Sequence, residues 1–180
     1  AALQRLYGGV LRRHPRLLEA ASHIHMDEPA LVRQLVLRSL GWAGPLAASE
    51  FVITNSCTEA LALCLRAVTQ PGDTVAVESP AYYLMLQLLE CLGLKALEIP
   101  TDPRSGMSIE ALDLATRDSR VAACLLVANA SNPLGSIMPD EHKRRLARLT
   151  AERGVAVIED DIYGDLHFAG ERPWPIKAFD

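Results

Sequence analysis

Apolar residues along this chain recur in two different patterns, which predict a helical first part and an alternation of strands and helices after it. Over positions 1–46 they recur at helical spacing, interrupted by a loop near Met26–Pro29. After that loop the predicted apolar face consists of Leu31, Val32, Leu35, Val36 and Leu40. Further along, short and nearly continuous apolar runs predict buried strands at Phe51–Thr54, Thr74–Glu78, Leu94–Ile99, Val121–Ala128 and Val155–Ile158.

Amphipathic stretches separate these strands. They predict helices at Glu59–Val68, Tyr82–Leu92, Ser108–Thr116 and Pro139–Arg153. Strands that are apolar throughout are buried on both faces, and regular alternation with helices is typical of parallel connections. The predicted fold class is therefore α/β, with a three-layer, mostly parallel sheet that is flanked by helices on both faces.

Composition and charge exclude several classes of function for this segment. The chain has 180 residues, is 49% hydrophobic and carries a net charge of −4, so this segment is not expected to wrap nucleic acid. We interpret two arginine groups as solvated helix faces: Arg12, Arg13 and Arg16, and Arg144, Arg145 and Arg148. No apolar run is long enough to span a bilayer, and no secretory signal is apparent. The four cysteines form no C-x-x-C pair, which favours a cytoplasmic setting, and His23-x-His25 lacks further metal ligands.

Two loops that follow predicted strands are candidate binding elements. In Thr54–Glu59, Ser56 and Glu59 fit a capping box, and the N–H groups of Cys57 and Thr58 could instead hold a phosphate at the helix N-terminus. The sequence leaves both readings open. In Glu78–Tyr83, the tyrosines could simply pack at the start of a helix, or the ring of Tyr82 could stack on a flat heteroaromatic ligand.

Two later loops carry polar residues in the same position relative to their strands. Ser131–Gly135 is either a Pro-Gly turn or a site in which the Asn132 amide donates to a ligand oxygen. Glu159, Asp160 and Asp161 follow a buried strand, where acids are costly unless they are solvated, paired or opposite a cation. A surface loop would explain Glu159 and Asp161, whereas Asp160 is expected in the crevice at the strand ends, with Tyr163 nearby.

Four segments together resemble the fold-type I aminotransferases, which use pyridoxal 5′-phosphate (PLP): ITNSCTEAL, PGDTVAVESPAYY, ASNPLG and VIEDDIYGDL. The wording is most similar to the aminotransferase-like domain of the MocR subfamily of GntR transcription regulators. That resemblance implies residues 1–47 as a helical segment after an interdomain linker and 48–180 as part of the PLP-binding domain. It also implies a preceding winged-helix domain that binds DNA, an amine or amino acid effector, and a homodimer.

The resemblance implies a role for each candidate residue. Asp160 pairs with the pyridine nitrogen, Asn132 and Tyr163 contact the phenolic oxygen, Tyr82 stacks on the ring, and the backbone of Ser56, Cys57 and Thr58 holds the phosphate. Two positions differ from the usual motifs, since Ser56 replaces a glycine and Leu134 a threonine.

Relatives also hold PLP through a Schiff-base lysine in an S-x-S-K context, and none of Lys95, Lys143 and Lys177 has that context. Lys95 begins a predicted strand, Lys143 is expected on a charged helix face, and Lys177 follows a proline-rich loop. The lysine is therefore expected downstream, so that no catalytic lysine is assigned within this chain. We expect a fragment that is inert alone. A fragment of a free-standing aminotransferase is the alternative, and an ordinary α/β domain without PLP is the third reading.

Overall fold

The computed structural model describes residues 28–168 and 170–180, and it contains five helices and five strands within those ranges. The helices are α1 (Glu28–Ser39), α2 (Cys57–Val68), α3 (Tyr83–Cys91), α4 (Ile109–Asp118) and α5 (Asp140–Arg153). The strands are β1 (Thr74–Ser79), β2 (Lys95–Asp102), β3 (Gly106–Met107), β4 (Val121–Leu126) and β5 (Ala156–Glu159). Short 3-10 helices occupy Ala48–Glu50 and Ile176–Phe179.

The strands form one sheet in the order β3-β2-β1-β4-β5. The pairs β1–β2, β1–β4 and β4–β5 are parallel, and only the short β3 runs antiparallel to β2. Because the chain leaves β1 toward β2 and returns to β4 on the other side, the strand order changes direction at β1. Open α/β sheets bind ligands at the carboxyl ends of the strands next to such a change of direction.

Alternate residues of the strands build a separate core on each face of the sheet. Val75, Val77 and Leu125 pack with Leu65 of α2 and Leu89 of α3. The intervening residues pack on the other face, where Ala76, Cys124 and Leu126 meet Leu112 of α4 and Leu146 of α5. The α/β prediction is thereby confirmed: a mostly parallel sheet lies between two layers of helices.

The predicted strand at Phe51–Thr54 is wrong. This segment is extended but pairs with no strand among the described residues, and the side chain of Val52 is 80% exposed. An apolar, β-branched run becomes a strand only where a sheet edge is available to it, whereas this run leads directly into the cap of α2. The other four predicted strands and four predicted helices are present with boundaries shifted by a few residues.

Several predictions from the sequence remain untested by the structure. The division at residue 47 stays a prediction, as does the cytoplasmic setting. The arginines at 12, 13 and 16 and both histidines of the H-x-H lie outside the described residues. Within the described ranges, no helix has both the length and the apolar character that crossing a bilayer requires.

Candidate active site

A cavity of about 230 Å³ lies at the carboxyl ends of β1, β4 and β5. Six of the seven predicted site residues line it: Cys57, Thr58, Tyr82, Asn132, Asp160 and Tyr163. Apolar walls come from α2, α3 and the residue that follows β4, through Leu61, Met85, Leu88 and Val127. A larger cavity of about 890 Å³ borders β5 and α5, but it contains none of these residues. We therefore assign the candidate site to the smaller cavity, where aromatic, amide and acidic groups converge.

The N-terminus of α2 forms one wall of the cavity. Ser56 is its N-cap, and the Ser56 hydroxyl accepts the N–H of Glu59 at 3.2 Å. The carboxylate of Glu59 returns to Asn55, accepting its backbone N–H at 2.6 Å and its side-chain amide at 3.0 Å. The capping reading of Ser56 is thus confirmed, with Glu59 reaching one residue further back than in the usual box. Cys57 and Thr58 begin the first turn, in which backbone N–H groups have no acceptor within the helix.

Tyr82 and Asn132 enter the cavity from loops that follow β1 and β4. Tyr82 immediately precedes α3, and its ring lies edge-on to Tyr83 with 4.9 Å between the ring centroids. The loop of Asn132 is closed by Ser131 and Ser136, whose hydroxyl oxygens are 2.7 Å apart. The N–H of Ser131 also donates to the carbonyl of Ser136 at 3.0 Å. This closed turn holds Asn132 at the cavity, so the loop forms a turn and also brings the Asn132 side chain to the candidate site, and the two readings of the sequence are compatible.

Asp160 lies at the floor of the cavity and is 7% exposed. Its N–H donates to the carbonyl of Leu126 at 2.9 Å, which continues the β4–β5 ladder by one bond, and its carboxylate accepts the N–H of Ile162 at 3.2 Å. Burial raises the pKa of Asp160, and hydrogen bonds from Ile162 and the Cys57 thiol partly oppose that rise. A carboxylate in this setting favours a cationic partner, because pairing offsets the cost of its burial.

Cys57 is affected by the same carboxylate. Burial and the negative charge of Asp160 raise the pKa of the Cys57 thiol to about 11. A helix N-terminus by itself lowers the pKa of a thiol, whereas burial and the neighbouring acid raise the pKa of this one. The Cys57 side chain is therefore a neutral hydrogen-bond donor to Asp160.

The expectation that Glu159 and Asp161 belong to a surface loop is wrong. Glu159 accepts the N–H of Ile176 through both carboxylate oxygens, at 3.0 and 2.8 Å, and burial raises its pKa to about 7. The side chain of Asp161 is 17% exposed and pairs with Arg172. Both acids are thus paired with groups from the segment after position 170, which the sequence pattern does not place next to β5.

Lys143 also differs from its prediction. Instead of lying on a charged helix face, it is completely buried, and its ammonium donates to Asn129 Oδ1 at 2.9 Å and to the carbonyl of Trp174 at 2.6 Å. The helical spacing of α5 indicates this buried position. Lys143 shares one face of the helix with its other buried residues, Leu146, Ala147 and Thr150. The remaining two lysines fit their predictions, since Lys95 begins β2 and Lys177 is exposed in the last 3-10 helix. None of the three lines the smaller cavity.

Comparison with known proteins identifies the family. A sequence model described as aminotransferase class I and II matches residues 30–180. The chain belongs to this family. It is 42% identical over 150 residues to an HTH-type transcriptional regulator of Escherichia coli, YjiR, covering 83% of this chain and 32% of that protein. It is 44% identical over 152 residues to a second regulator of the same bacterium, YdcR, covering 84% and 32%.

Solved structures of the family share the fold. One is LysN, the α-aminoadipate aminotransferase of Thermus thermophilus, crystallised with N-(5′-phosphopyridoxyl)-L-leucine; its TM-score is 0.70 and its identity 28%, over 78% of this chain and 35% of that one. The chain spans about a third of the length of each of the two regulators. The predicted likeness to the aminotransferase-like domain of helix-turn-helix regulators is confirmed.

Proposed function

We propose that this chain is part of the PLP-binding effector domain of a GntR-type transcription regulator of the MocR subfamily. The observation that carries the proposal is the convergence of Tyr82, Asn132, Asp160 and Tyr163 with the first turn of α2 on one cavity. The identity of 42–44% to two HTH-type regulators supports the regulator over other members of the family.

The chemistry of the cavity fits PLP part by part. Asp160 would hold a proton on the pyridine nitrogen, because a buried carboxylate stabilises a cation next to it. Asn132 and Tyr163 would donate hydrogen bonds to the phenolic oxygen, and the ring of Tyr82 would stack on the pyridine. The backbone N–H groups of Ser56, Cys57 and Thr58 would bind the phosphate, which helix N-termini favour. When bound, PLP supplies an electron sink for the bonds of an amine's α-carbon.

Ser56 stands apart from the other six residues. It does not line the cavity, and its side chain is occupied in capping α2. Beside its backbone N–H, the Ser56 side chain would contribute by fixing the first turn, so that the N–H groups of Cys57 and Thr58 point in one direction.

The effector would be an amine or amino acid that reacts with the cofactor, and the output would be a change in DNA binding through a winged-helix domain elsewhere in the protein. A homodimer is part of the same proposal. The lysine that binds PLP covalently would come from outside these 180 residues, since the three lysines present lie away from the cavity. On that basis the chain by itself would lack transaminase activity.

A fragment of a free-standing aminotransferase is the second candidate. The family match and the likeness to LysN favour it, because neither depends on a DNA-binding partner domain. The third reading, an α/β domain without PLP, predicts that the whole protein does not bind the cofactor.

One experiment on the whole protein separates the three. The purified protein is titrated with PLP, reduced with borohydride and mapped by mass spectrometry. A winged-helix sequence before position 1, a modified lysine beyond 180, and DNA binding that changes with an amine are the results expected for the regulator. The same modified lysine without DNA binding would make the protein an aminotransferase. Absence of PLP binding would overturn both.

A further inference from the structure

The side chain of Arg172 is the centre of an ionic cluster behind the candidate site. It is 15% exposed, its Nε donates to Asp165 at 2.7 Å, and one of its terminal nitrogens pairs with Asp161. Its guanidinium carbon lies 4.6 Å from the ring centroid of Trp42. Asp165 also accepts a bond of 2.6 Å from Arg38 of α1. We refer to Arg38, Trp42, Asp161, Asp165 and Arg172 as the Arg172 cluster.

The carboxylate of Asp161 also has a second hydrogen-bond partner. It accepts the side-chain amide of Asn129 at 2.9 Å, and the amide oxygen of Asn129 accepts the ammonium of the buried Lys143 at 2.9 Å. Both carboxylate oxygens of Asp161 are therefore occupied by partners from two separate parts of the chain. A buried charge with two fixed partners has a defined position, and the peptide to which it belongs is fixed with it.

Gly164 shows how closely the cluster packs against the loop of the site. A Cβ built at this position would lie 2.6 Å from Oδ1 of Asp161 and 2.7 Å from the guanidinium carbon of Arg172. No side chain fits between the loop and Arg172. The guanidinium therefore lies directly against the backbone at Gly164, in the loop that begins with Asp160 and includes Tyr163.

We propose that Arg172 is a positioning residue for the candidate site: through Asp161 it fixes the loop that carries Asp160 and Tyr163, and through Asp165 and Trp42 it joins that loop to α1. The proposal rests on the proposed function, because its consequence is a change in PLP binding. A second consequence follows from the reciprocity of coupled sites. If the Arg172 cluster orders the cavity loop, then filling the cavity must also order the segment around Trp42.

The test uses the whole protein with three variants. Arg172→Met removes the charge and both ion pairs, and Arg172→Lys keeps the charge but lacks the planar fork that can hold Asp161 and Asp165 together. Arg145→Met is the matched control, since Arg145 forms a 2.7 Å pair with Glu110 away from the cavity. For each protein, circular dichroism first establishes a temperature at which it is folded, and the Kd of PLP is measured there.

Arg172→Met is expected to raise the Kd of PLP about tenfold, Arg172→Lys by less, and Arg145→Met not at all. Hydrogen exchange supplies a readout that a purely structural role would not change. PLP is expected to slow exchange of peptides spanning residues 36–44 in the unchanged protein but not in Arg172→Met. Asp165→Asn removes the negative charge and leaves one acceptor oxygen for two arginines, Arg38 and Arg172, while the Arg172–Asp161 pair stays. It should therefore lose this protection with little change in Kd.

An unchanged Kd in Arg172→Met, or exchange protection that persists in it, would overturn the proposal while leaving the proposed function intact. If Arg172→Met does not fold, Arg172→Lys and Asp165→Asn decide by the same two measurements. Failure of the unchanged protein to bind PLP would instead overturn the proposed function, and this proposal with it.

Discussion

Asp160 and Asp161 are adjacent in sequence, yet their carboxylates line different cavities. The carboxylate of Asp160 lies in the smaller one with Cys57, and that of Asp161 lies in the larger one, bound to Arg172. Side chains of consecutive residues in an extended chain point to opposite sides, so two acids in a row can serve two separate purposes. Here one acid is available to a ligand and the other fixes the position of the first.

This division predicts unequal effects of two matched substitutions. Asp160→Asn removes the negative charge that would pair with the pyridinium, and loss of such a partner typically costs 2–5 kcal/mol, so the Kd of PLP should rise about 100-fold. Asp161→Asn leaves one acceptor oxygen for two donors, the Asn129 amide and Arg172, but the residue does not line the smaller cavity, so the Kd should rise only about tenfold or less. Titration of both variants of the whole protein with PLP measures this. Equal effects would mean that the pyridine partner has been misassigned.

The cap of α2 predicts a link between stability and cofactor binding. Ser56 caps α2 and Ser108 caps α4, each accepting the N–H three residues on at 3.2 Å. Replacing either serine with alanine should lower the free energy of unfolding by about 1 kcal/mol. Of the two variants, only Ser56→Ala should also weaken PLP binding, by about fivefold, because α2 borders the cavity and α4 does not. Urea unfolding and PLP titration test the pair, and a similar loss of affinity in Ser108→Ala would argue against a phosphate site on α2.

Burial of Lys143 predicts a large stability effect at a position that sequence alone treats as surface. Lys143→Met leaves the Asn129 amide oxygen without its donor and the Trp174 carbonyl with only the 3.3 Å bond from the Asn129 amide, which should lower the free energy of unfolding by about 2–4 kcal/mol. Lys177→Met is the matched control, since the Lys177 side chain is exposed and its ammonium pairs with Asp180. The free energy of unfolding of Lys177→Met should differ from that of the unchanged protein by no more than about 0.5 kcal/mol. Comparable losses in the two variants, measured by urea unfolding, would contradict the buried position of Lys143.

Two glutamates, Glu78, which is buried, and Glu159, which is partly buried, predict how stability changes with pH. Burial raises the pKa of Glu78, and of Glu159, from an ordinary 4.5 to about 7. The folded protein therefore binds protons more tightly than the unfolded chain at both positions. Their stabilising contribution is complete below about pH 4.5 and is lost as the pH rises to about 7.

Glu78 allows a direct test of that pH dependence. Its Oε2 accepts the N–H of Val127 at 2.9 Å, and its buried Oε1 has no hydrogen-bond partner among the described residues. Glu78→Gln should remove a pH-dependent contribution on the order of 3 kcal/mol between the two pH limits, whereas the exposed control Glu90→Gln should leave the profile unchanged. Urea unfolding at several pH values between about 4.5 and 7 measures the free energy of unfolding of each variant. A profile of Glu78→Gln that is parallel to that of the unchanged protein would contradict the raised pKa.

The thiols predict a pattern of chemical labelling. Cys64 and Cys91 are exposed, whereas Cys124 is buried and the pKa of Cys57 is raised to about 11 from 9.0. At neutral pH the thiolate fraction of Cys57 should be about 100-fold below that of an ordinary thiol. Iodoacetamide should therefore modify Cys64 and Cys91 first, as followed by peptide mapping, and all four should react once urea unfolds the protein. Rapid labelling of Cys57 in the folded state would show that the helix dipole dominates after all.

The local sequence pattern was sufficient to predict most of the fold and most of the polar residues that line the smaller cavity. Strands such as β4 (Val121–Leu126) are apolar throughout because both faces of the sheet are covered. A surface helix has one covered face and therefore apolar residues at helical spacing, so both kinds of element can be predicted from the sequence. The candidate residues were found because parallel strands end at one edge, which brings loops after β1, β4 and β5 together whatever lies between them.

Tertiary structure alone decided which polar groups are paired away from that edge. Phe51–Thr54 has the composition of a strand but no sheet edge to join, and the charge of Lys143 indicates a surface position although its helical register indicates the core. Asp161, Arg172 and Trp42 meet through contacts between distant segments, and no local periodicity encodes such a meeting. The sequence by itself determined the layers of this protein and the residues at its strand ends. The fold decided how buried charges are neutralised, because that depends on partners brought together only when the chain closes on itself.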